Sequence, residues 1–294
     1  MNEKAVHNPS LIKRWTQHER VNFLLTNRIP RRYATLLMGW YSRIENPIIT
    51  RLSLYLWKSF AEDLNLAEAR KTQFRSLHDC FIRELKEGAR PVDMNQQTIV
   101  SPCDAVVGAH GKIDGVELIQ AKGFPYTLMD LLADAELVDK YRDGIFVTLR
   151  LKSTMYHRFH APYDCHVSEV NYISGDTWNV NPVALKRVER LYCKNERAVI
   201  NLQLNGDHGS VTLVPVAAIL VASIRLKFLQ QVLDLKYKGP NHIACDASFR
   251  KGQEMGYFQH GSTIIVFGTQ ELNICANVKS GDIIKMGQPL LQIR

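Results

Sequence analysis

Three short stretches carry the side chains that could do chemistry. Residues 256–268, GYFQHGSTIIVFG, set Ser262 directly behind Gly261 at the entrance to an apolar run. A glycine carbonyl is sterically open, so the hydroxyl that follows it could act as a nucleophile on it. The same residues could also form a turn that leads into a buried strand over 263–267, because β-branched and aromatic residues bounded by glycines read that way. Ser101-Pro102-Cys103-Asp104 puts an acid after a strand and a proline-fixed turn, where a carboxylate can bond nearby backbone N–H groups. Tyr156-His157-Arg158-Phe159-His160-Ala161-Pro162 places His157 and His160 three apart. An acid, a histidine and a serine can build a charge relay in any chain order, since such a relay depends on geometry. Two histidines at this spacing can also hold a metal, but no further set of Cys, His or carboxylates accompanies them, so a zinc site is not expected.

These groups need elements to position them. Residues 99–107, 116–121, 144–151, 166–173, 198–204, 210–226, 263–267 and 282–293 are rich in β-branched residues and separated by Gly, Asn, Asp and Pro, which predicts strands. Asn205-Gly206 signals a hairpin between two of them. One helix is expected over 127–140, and a short one ending near Leu85. Ahead of them, from Ser10 to about Ala69, apolar residues recur at three- and four-residue steps, with Pro30 and Pro47 dividing the run into separate amphipathic helices. The reading is α+β: a helical region over 1–70, then a β-rich catalytic domain over 71–294.

Charge separates the same two parts. Residues 1–60 carry ten Lys and Arg against three acids, +7 of the chain's formal +8. Trp15, Trp40, Tyr41, Tyr55 and Trp57 lie among those cations, a composition suited to the headgroup region of an anionic bilayer. No nucleic-acid recognition motif appears, so no nucleic-acid partner is expected. The six cysteines show no paired C-x-x-C spacing and suggest neither a disulfide framework nor a metal. No apolar run reaches the length of a spanning helix, and the N-terminus lacks the form of a secretory signal. The expected protein is soluble or lies on a membrane surface.

Seven segments in order, SLHDCFIRELKEGARPVD, IVSPCD, LIQAKGFPYTLMDLL, MYHRFHAP, GDTWNVNP, NERAVINL and KGQEMGYFQHGSTI, resemble the phosphatidylserine decarboxylases of the membrane-associated bacterial and mitochondrial type. The likeness runs nearly end to end. It implies a pyruvoyl enzyme that makes its own cofactor. The serine of the G-S-T triplet attacks the preceding glycine carbonyl, so the chain is cut between Gly261 and Ser262 into a β chain of 1–261 and an α chain of 262–294. Ser262 becomes the pyruvoyl group, which takes the substrate amine as a Schiff base and supplies the electron sink that decarboxylation to phosphatidylethanolamine requires.

The resemblance assigns Asp104 and His160 to the self-cleaving triad with Ser262. His160 would take the serine proton while Asp104 fixes its tautomer. His157 falls to the decarboxylation stage. Implied partners are phosphatidylserine, an anionic membrane surface at the cytoplasmic face of a bacterial inner membrane, and the two cleavage products as an α/β heterodimer. No metal is implied. The chain departs from the pattern at His260, where leucine is most frequent, at Ala105, where glycine is usual, and at Met155, where an acid is often found. Two other readings remain: residues 278–290 are similar to the closing strands of lipoyl and biotin carrier domains, though no modifiable M-K-M or D-K-A lysine is present, and an unprocessed pseudoenzyme would keep the same residues.

Overall fold

The structure, a computed structural model, describes residue 23 and residues 30–61, 63–119, 124–206, 208–220, 223–259 and 262–294. Trp15 and most of the basic segment ahead of Pro30 therefore lie outside the described residues, as do His260 and Gly261.

An eight-stranded antiparallel sheet organises the α+β fold. Its strands in chain order are β1 (Ala105–Lys112), β2 (Ile145–Leu151), β3 (Cys165–Ile173), β4 (Arg197–Leu204), β5 (Ser210–Ala217), β6 (His242–Phe249), β7 (Ser262–Gly268) and β8 (Ile283–Ile284). They lie side by side as β6-β3-β4-β5-β7-β2-β1-β8. β7 is central, paired with β5 on one edge and β2 on the other, and all of its residues are buried. Both faces of the sheet are covered. Ile264 and Val266 of β7 join one apolar cluster, and Ile265 and Phe267 join the other on the opposite face, as the period of two demands. Each such side chain contributes about 1.5–3 kcal/mol on burial.

A four-stranded sheet covers the first face, in the order Leu233–Asp234, Ser223–Leu226, Glu254–Phe258, Arg158–His160. Phe159 and Phe258 from it meet at 5.4 Å and belong to the same cluster as Ile264 and Val266. The chain thus leaves the small sheet at Phe258 and enters the large one at Ser262. The predicted cut lies in that crossing. Thr98–Val100, Pro289–Ile293 and Leu272–Ile274 form a third sheet.

Helices α1 (Arg31–Tyr41), α2 (Pro47–Phe60) and α3 (Leu77–Phe81) precede the sheets. Pro30 ends at the start of α1, and Pro47 opens α2 behind an Asn46 side chain that accepts from the N–H groups of Ile48 and Ile49, so the two prolines do divide the helices. The Arg31 guanidinium fixes α1 to the β-rich part. It sits 3.7 Å above the Trp178 ring and donates to both oxygens of Asp176, at 3.1 and 2.5 Å. Thr35 adds a bond, its hydroxyl accepting from Leu220 N–H at 3.0 Å.

Several predicted elements divide. The helix expected over 127–140 becomes α4 (Leu128–Leu132) and α5 (Ala135–Tyr141), because Ala133 turns left-handed at φ 51 and Asp134 caps a new helix. The long strand expected over 210–226 stops at Ala217 and resumes at Ser223, changing sheets on the way. His157 and His160 flank or enter a short strand that the sequence reading placed behind one. α6 (Pro182–Leu185) and α7 (Leu191–Lys194) lie between β3 and β4. The hairpin signal at Asn205-Gly206 does join β4 to β5, with Gly206 at φ +85.

One buried side chain ties the loop that receives Arg31 to the end of β5. Asn195 Oδ1 accepts from Trp178 N–H at 2.7 Å, and its Nδ2 donates to the carbonyls of Trp178 and Ala217, each at 2.8 Å. Asn195→Ala leaves these groups unmatched and should cost about 1–3 kcal/mol. A urea midpoint equal to that of the unsubstituted protein would show that the loop does not depend on this side chain.

Candidate active site

Ser262 opens β7 opposite Leu151 of β2 and Ala217 of β5. It is fully buried, and its Oγ has no hydrogen-bond partner among the described residues. Leaving a hydroxyl dry and unpaired costs about 1–3 kcal/mol, so a fold keeps one where strain or chemistry calls for it. Such a hydroxyl, directly after Gly261, fits a serine that is to be converted into a pyruvoyl group. Gly261 itself lies outside the described residues.

A cavity of about 580 Å³ opens at this end of the sheet. Leu151, Ser262's own cross-strand neighbour, lines it, and so does Ala218, which follows Ala217. The helix layer supplies Met38, Trp57, Leu77 and Phe81, and the loop before α6 supplies Asn179, Val180 and Asn181. The setting is mostly apolar with a few convergent polar groups, the usual character of a small-molecule site.

His157 stands behind one wall. It is fully buried, its ring packs on Phe81 at 4.0 Å, and Nδ1 donates to the Met155 carbonyl at 2.8 Å. His160 is held differently. Its Nδ1 faces the Gly252 carbonyl at 2.8 Å and its Nε2 faces the Tyr156 hydroxyl at 2.9 Å. A carbonyl only accepts, so Nδ1 carries the proton and Nε2 accepts from Tyr156. Burial, the main cause, pushes the His160 pKa below the ordinary histidine value, while Gly252, Glu254 and Asp104 push the other way. His160 is therefore a neutral imidazole near pH 7.

Asp104 lies at the foot of β1 and bonds elsewhere. Arg90 Nε reaches both of its oxygens at 2.8 and 3.0 Å, Arg90 Nη2 reaches Oδ2 at 2.6 Å, and the Met286 N–H donates to Oδ1 at 2.9 Å. Glu68 takes a further bond from Arg90 at 2.7 Å. Burial works against the Arg90 charge, but these carboxylates outweigh it and raise its pKa. The expectation that Asp104 fixes the His160 tautomer is thus not what the bonds show: the Gly252 carbonyl does so, and Asp104 reaches His160 only through its field. Arg90 and Tyr156 were the residues the sequence reading passed over. Both lie inside motifs it singled out, EGARPVD and MYHRFHAP, yet neither type at that spacing announces a partner.

Among the described residues no cluster of His, Cys, Asp or Glu could hold a metal ion, and the six thiols are unpaired.

A sequence model of the phosphatidylserine decarboxylase family matches residues 77–292. The chain is 33% identical over 291 residues to the phosphatidylserine decarboxylase proenzyme of Glaesserella parasuis serovar 5, which covers 95% of this chain and 96% of that protein. It is 33% identical over 277 residues to the proenzyme of the same name in Haemophilus influenzae, covering 89% and 92%. It is also 33% identical over 271 residues to the one in Brevibacillus brevis, covering 90% and 95%.

Arg90 and Asp104 side chains are 7% and 8% exposed, so their pair is effectively dry. Arg90→Met strands a buried carboxylate and should destabilise the fold by about 3–5 kcal/mol, whereas the double change with Asp104→Asn should recover a large part of that. Thermal or urea unfolding of the three proteins checks it; a double variant no more stable than Arg90→Met alone contradicts the pairing.

Proposed function

The chain belongs to the phosphatidylserine decarboxylase family, and from that premise we propose that it converts phosphatidylserine to phosphatidylethanolamine and CO2 with a pyruvoyl group made from its own Ser262. The observation that carries this reading is the Ser262 hydroxyl, sealed from water without a partner at the first residue of a central strand and beside the largest cavity. The relatives are named proenzymes, which fits a chain that matures after synthesis.

Maturation uses the chain's own groups. Ser262 Oγ attacks the Gly261 carbonyl, and the Gly261–Ser262 amide becomes an ester with a free Ser262 amine. β-Elimination breaks the Oγ–Cβ bond, leaving Gly261 as a carboxylate and Ser262 as a dehydroalanine. Its enamine takes up water and loses ammonia, which yields the ketone. His160 accepts the proton from Oγ: burial keeps it neutral, and Nε2 is its accepting atom once the Tyr156 hydroxyl turns aside. Asp104 favours the imidazolium that results, and Arg90 holds that carboxylate in place.

In the mature protein a pyruvoyl ketone supplies the electron sink for the carbanion left by CO2, which no ordinary side chain provides. The walls around it exclude water, with Leu151, Phe81 and Val180 on the cavity side. His157, fixed by Met155 and stacked on Phe81, is the group we assign to proton handling at this stage.

We assign residues 1–70 to membrane attachment, residues 71–294 to catalysis, and the two cleavage products to one α/β heterodimer. Tyr33, Leu37, Trp40, Ile48, Leu52 and Tyr55 of α1 and α2 are exposed, interleaved with Arg and Lys. Among the described residues no helix is long and apolar enough to cross a membrane. An exposed apolar face beside cations suits the surface of an anionic bilayer.

Two experiments follow. Ser262→Ala and His160→Ala should each leave one full-length chain by intact mass, since loss of general-base assistance typically slows a reaction about 10²- to 10⁴-fold. His157→Ala should be cut into two chains yet decarboxylate slowly. Efficient cutting of Ser262→Ala would falsify the assignment. In vesicle flotation, attachment should be stronger to anionic than to neutral vesicles and should weaken as salt rises, because screening removes the charge contribution and leaves the apolar one. Equal attachment to both lipids at every salt concentration rules the membrane assignment out.

A further inference from the structure

The cavity beside Ser262 is lined by two charged side chains, both cations, and by no carboxylate. The first, Lys152, is already engaged, with Nζ 3.1 Å from Asp63. The second, Arg150, is half-buried, and among the described residues no carboxylate pairs with it and no hydrogen bond satisfies it. The group that faces it is the Tyr192 phenol, a weak acid that burial keeps protonated. Arginine carries five N–H donors and effectively never gives up its charge, so a desolvated guanidinium without a partner is a site waiting for an anion.

Its position is informative. Arg150 lies opposite Thr263 in the β2–β7 ladder, with Leu151 opposite Ser262. A guanidinium there stands one ladder step from the reacting residue, about 3.3 Å along the strand plus the reach of its own side chain. Phosphatidylserine offers two anions near its amine, the phosphodiester and the carboxylate. They are not equivalent. A cation gripping the carboxylate would stabilise the ground state that must be lost as neutral CO2, so binding energy spent there raises the barrier. A grip on the phosphodiester is the same before and after the reaction and leaves the barrier alone.

Resting on the decarboxylase reading above, we propose that Arg150 is the residue that binds the phosphodiester of the phospholipid headgroup and thereby sets the substrate's amine against the residue at position 262. The same site would bind phosphatidylethanolamine, which keeps the phosphate and lacks the carboxylate. A neutral diacylglycerol would gain nothing from it.

The test uses the full chain with Arg150→Gln and Arg150→Lys, and soluble short-chain probes measured by calorimetry: dihexanoyl phosphatidylethanolamine, dihexanoyl phosphatidylserine and dihexanoylglycerol. Intact mass is recorded first, because self-cleavage needs no lipid. Normal cutting with altered binding separates this proposal from the function reading, which fails instead if the unsubstituted chain is not cut. Arg150→Gln should weaken both phospholipids by a similar factor, on the order of 10- to 100-fold for loss of a charge-assisted bond, and leave dihexanoylglycerol unchanged. Arg150→Lys should recover part of the loss. In turnover of the serine lipid, KM should rise while kcat changes little. Three results overturn the proposal: unchanged binding of the ethanolamine lipid, weakening confined to the serine lipid, which would put the guanidinium on the carboxylate, or equal weakening of dihexanoylglycerol, which would make Arg150 a packing residue.

Discussion

The constraint on which the rest of the structure depends is that a polar atom is held dry at the beginning of an apolar strand. Ser262 cannot turn its hydroxyl to water, because β7 is flanked by β5 and β2 and covered on both faces. Nor can it slip in register, since a shift of one residue would exchange every side chain of Ile264–Phe267 between the two apolar clusters. The sheet fixes the serine, and the stabilisation from the surrounding apolar residues offsets the cost of its missing hydrogen bond. A reactive group on a mobile loop would have no such support.

The helix layer is coupled to this site through a few polar contacts. Arg31 bridges to Asp176 and Trp178, Asn195 carries that loop on to Ala217, and Arg43 reaches Gln259 just ahead of the predicted cut. α1 and α2 thus wall the cavity with Met38 and Trp57 while turning other apolar side chains outward. One pair of helices therefore has two apolar faces, which a helix that merely packs on a core does not need.

Much of this was legible in the sequence. Alternating and continuous apolar runs located the main strands, the prolines located the breaks between helices, and Asn205-Gly206 located a hairpin. Motif order pointed to Asp104, His157, His160 and Ser262. What remained hidden was set by partners far away in the chain. The split of 210–226 follows from a change of sheet, and strands such as His242–Phe249 carry a polar alternation that the search for β-branched runs passes over. The division of 127–140 turns on a single left-handed alanine. Arg90 could be read as an ordinary surface cation until Asp104 and Glu68 were seen around it, and the Gly252 carbonyl that sets the tautomer of His160 has no side chain to signal its role. The likeness of residues 278–290 to carrier domains reduces to β8 on the edge of the large sheet and Pro289–Ile293 in the small one.

The strand ladders say what becomes of the molecule once its backbone is opened ahead of Ser262. The 33 residues that follow supply the middle strand of one sheet, the edge strand β8 of the same sheet, and two of the three strands of another. To leave, that piece would have to break its pairing with β5, β2, β1 and Thr98–Val100 together. Fragments made in different molecules therefore do not trade places, and each large chain keeps the small chain with which it was synthesised. Unfolding then changes meaning as well. Before the cut, the central strand returns at the high effective concentration of a tethered segment; afterwards it must find its place from bulk solution, so a molecule that unfolds after maturation loses the route by which it first folded.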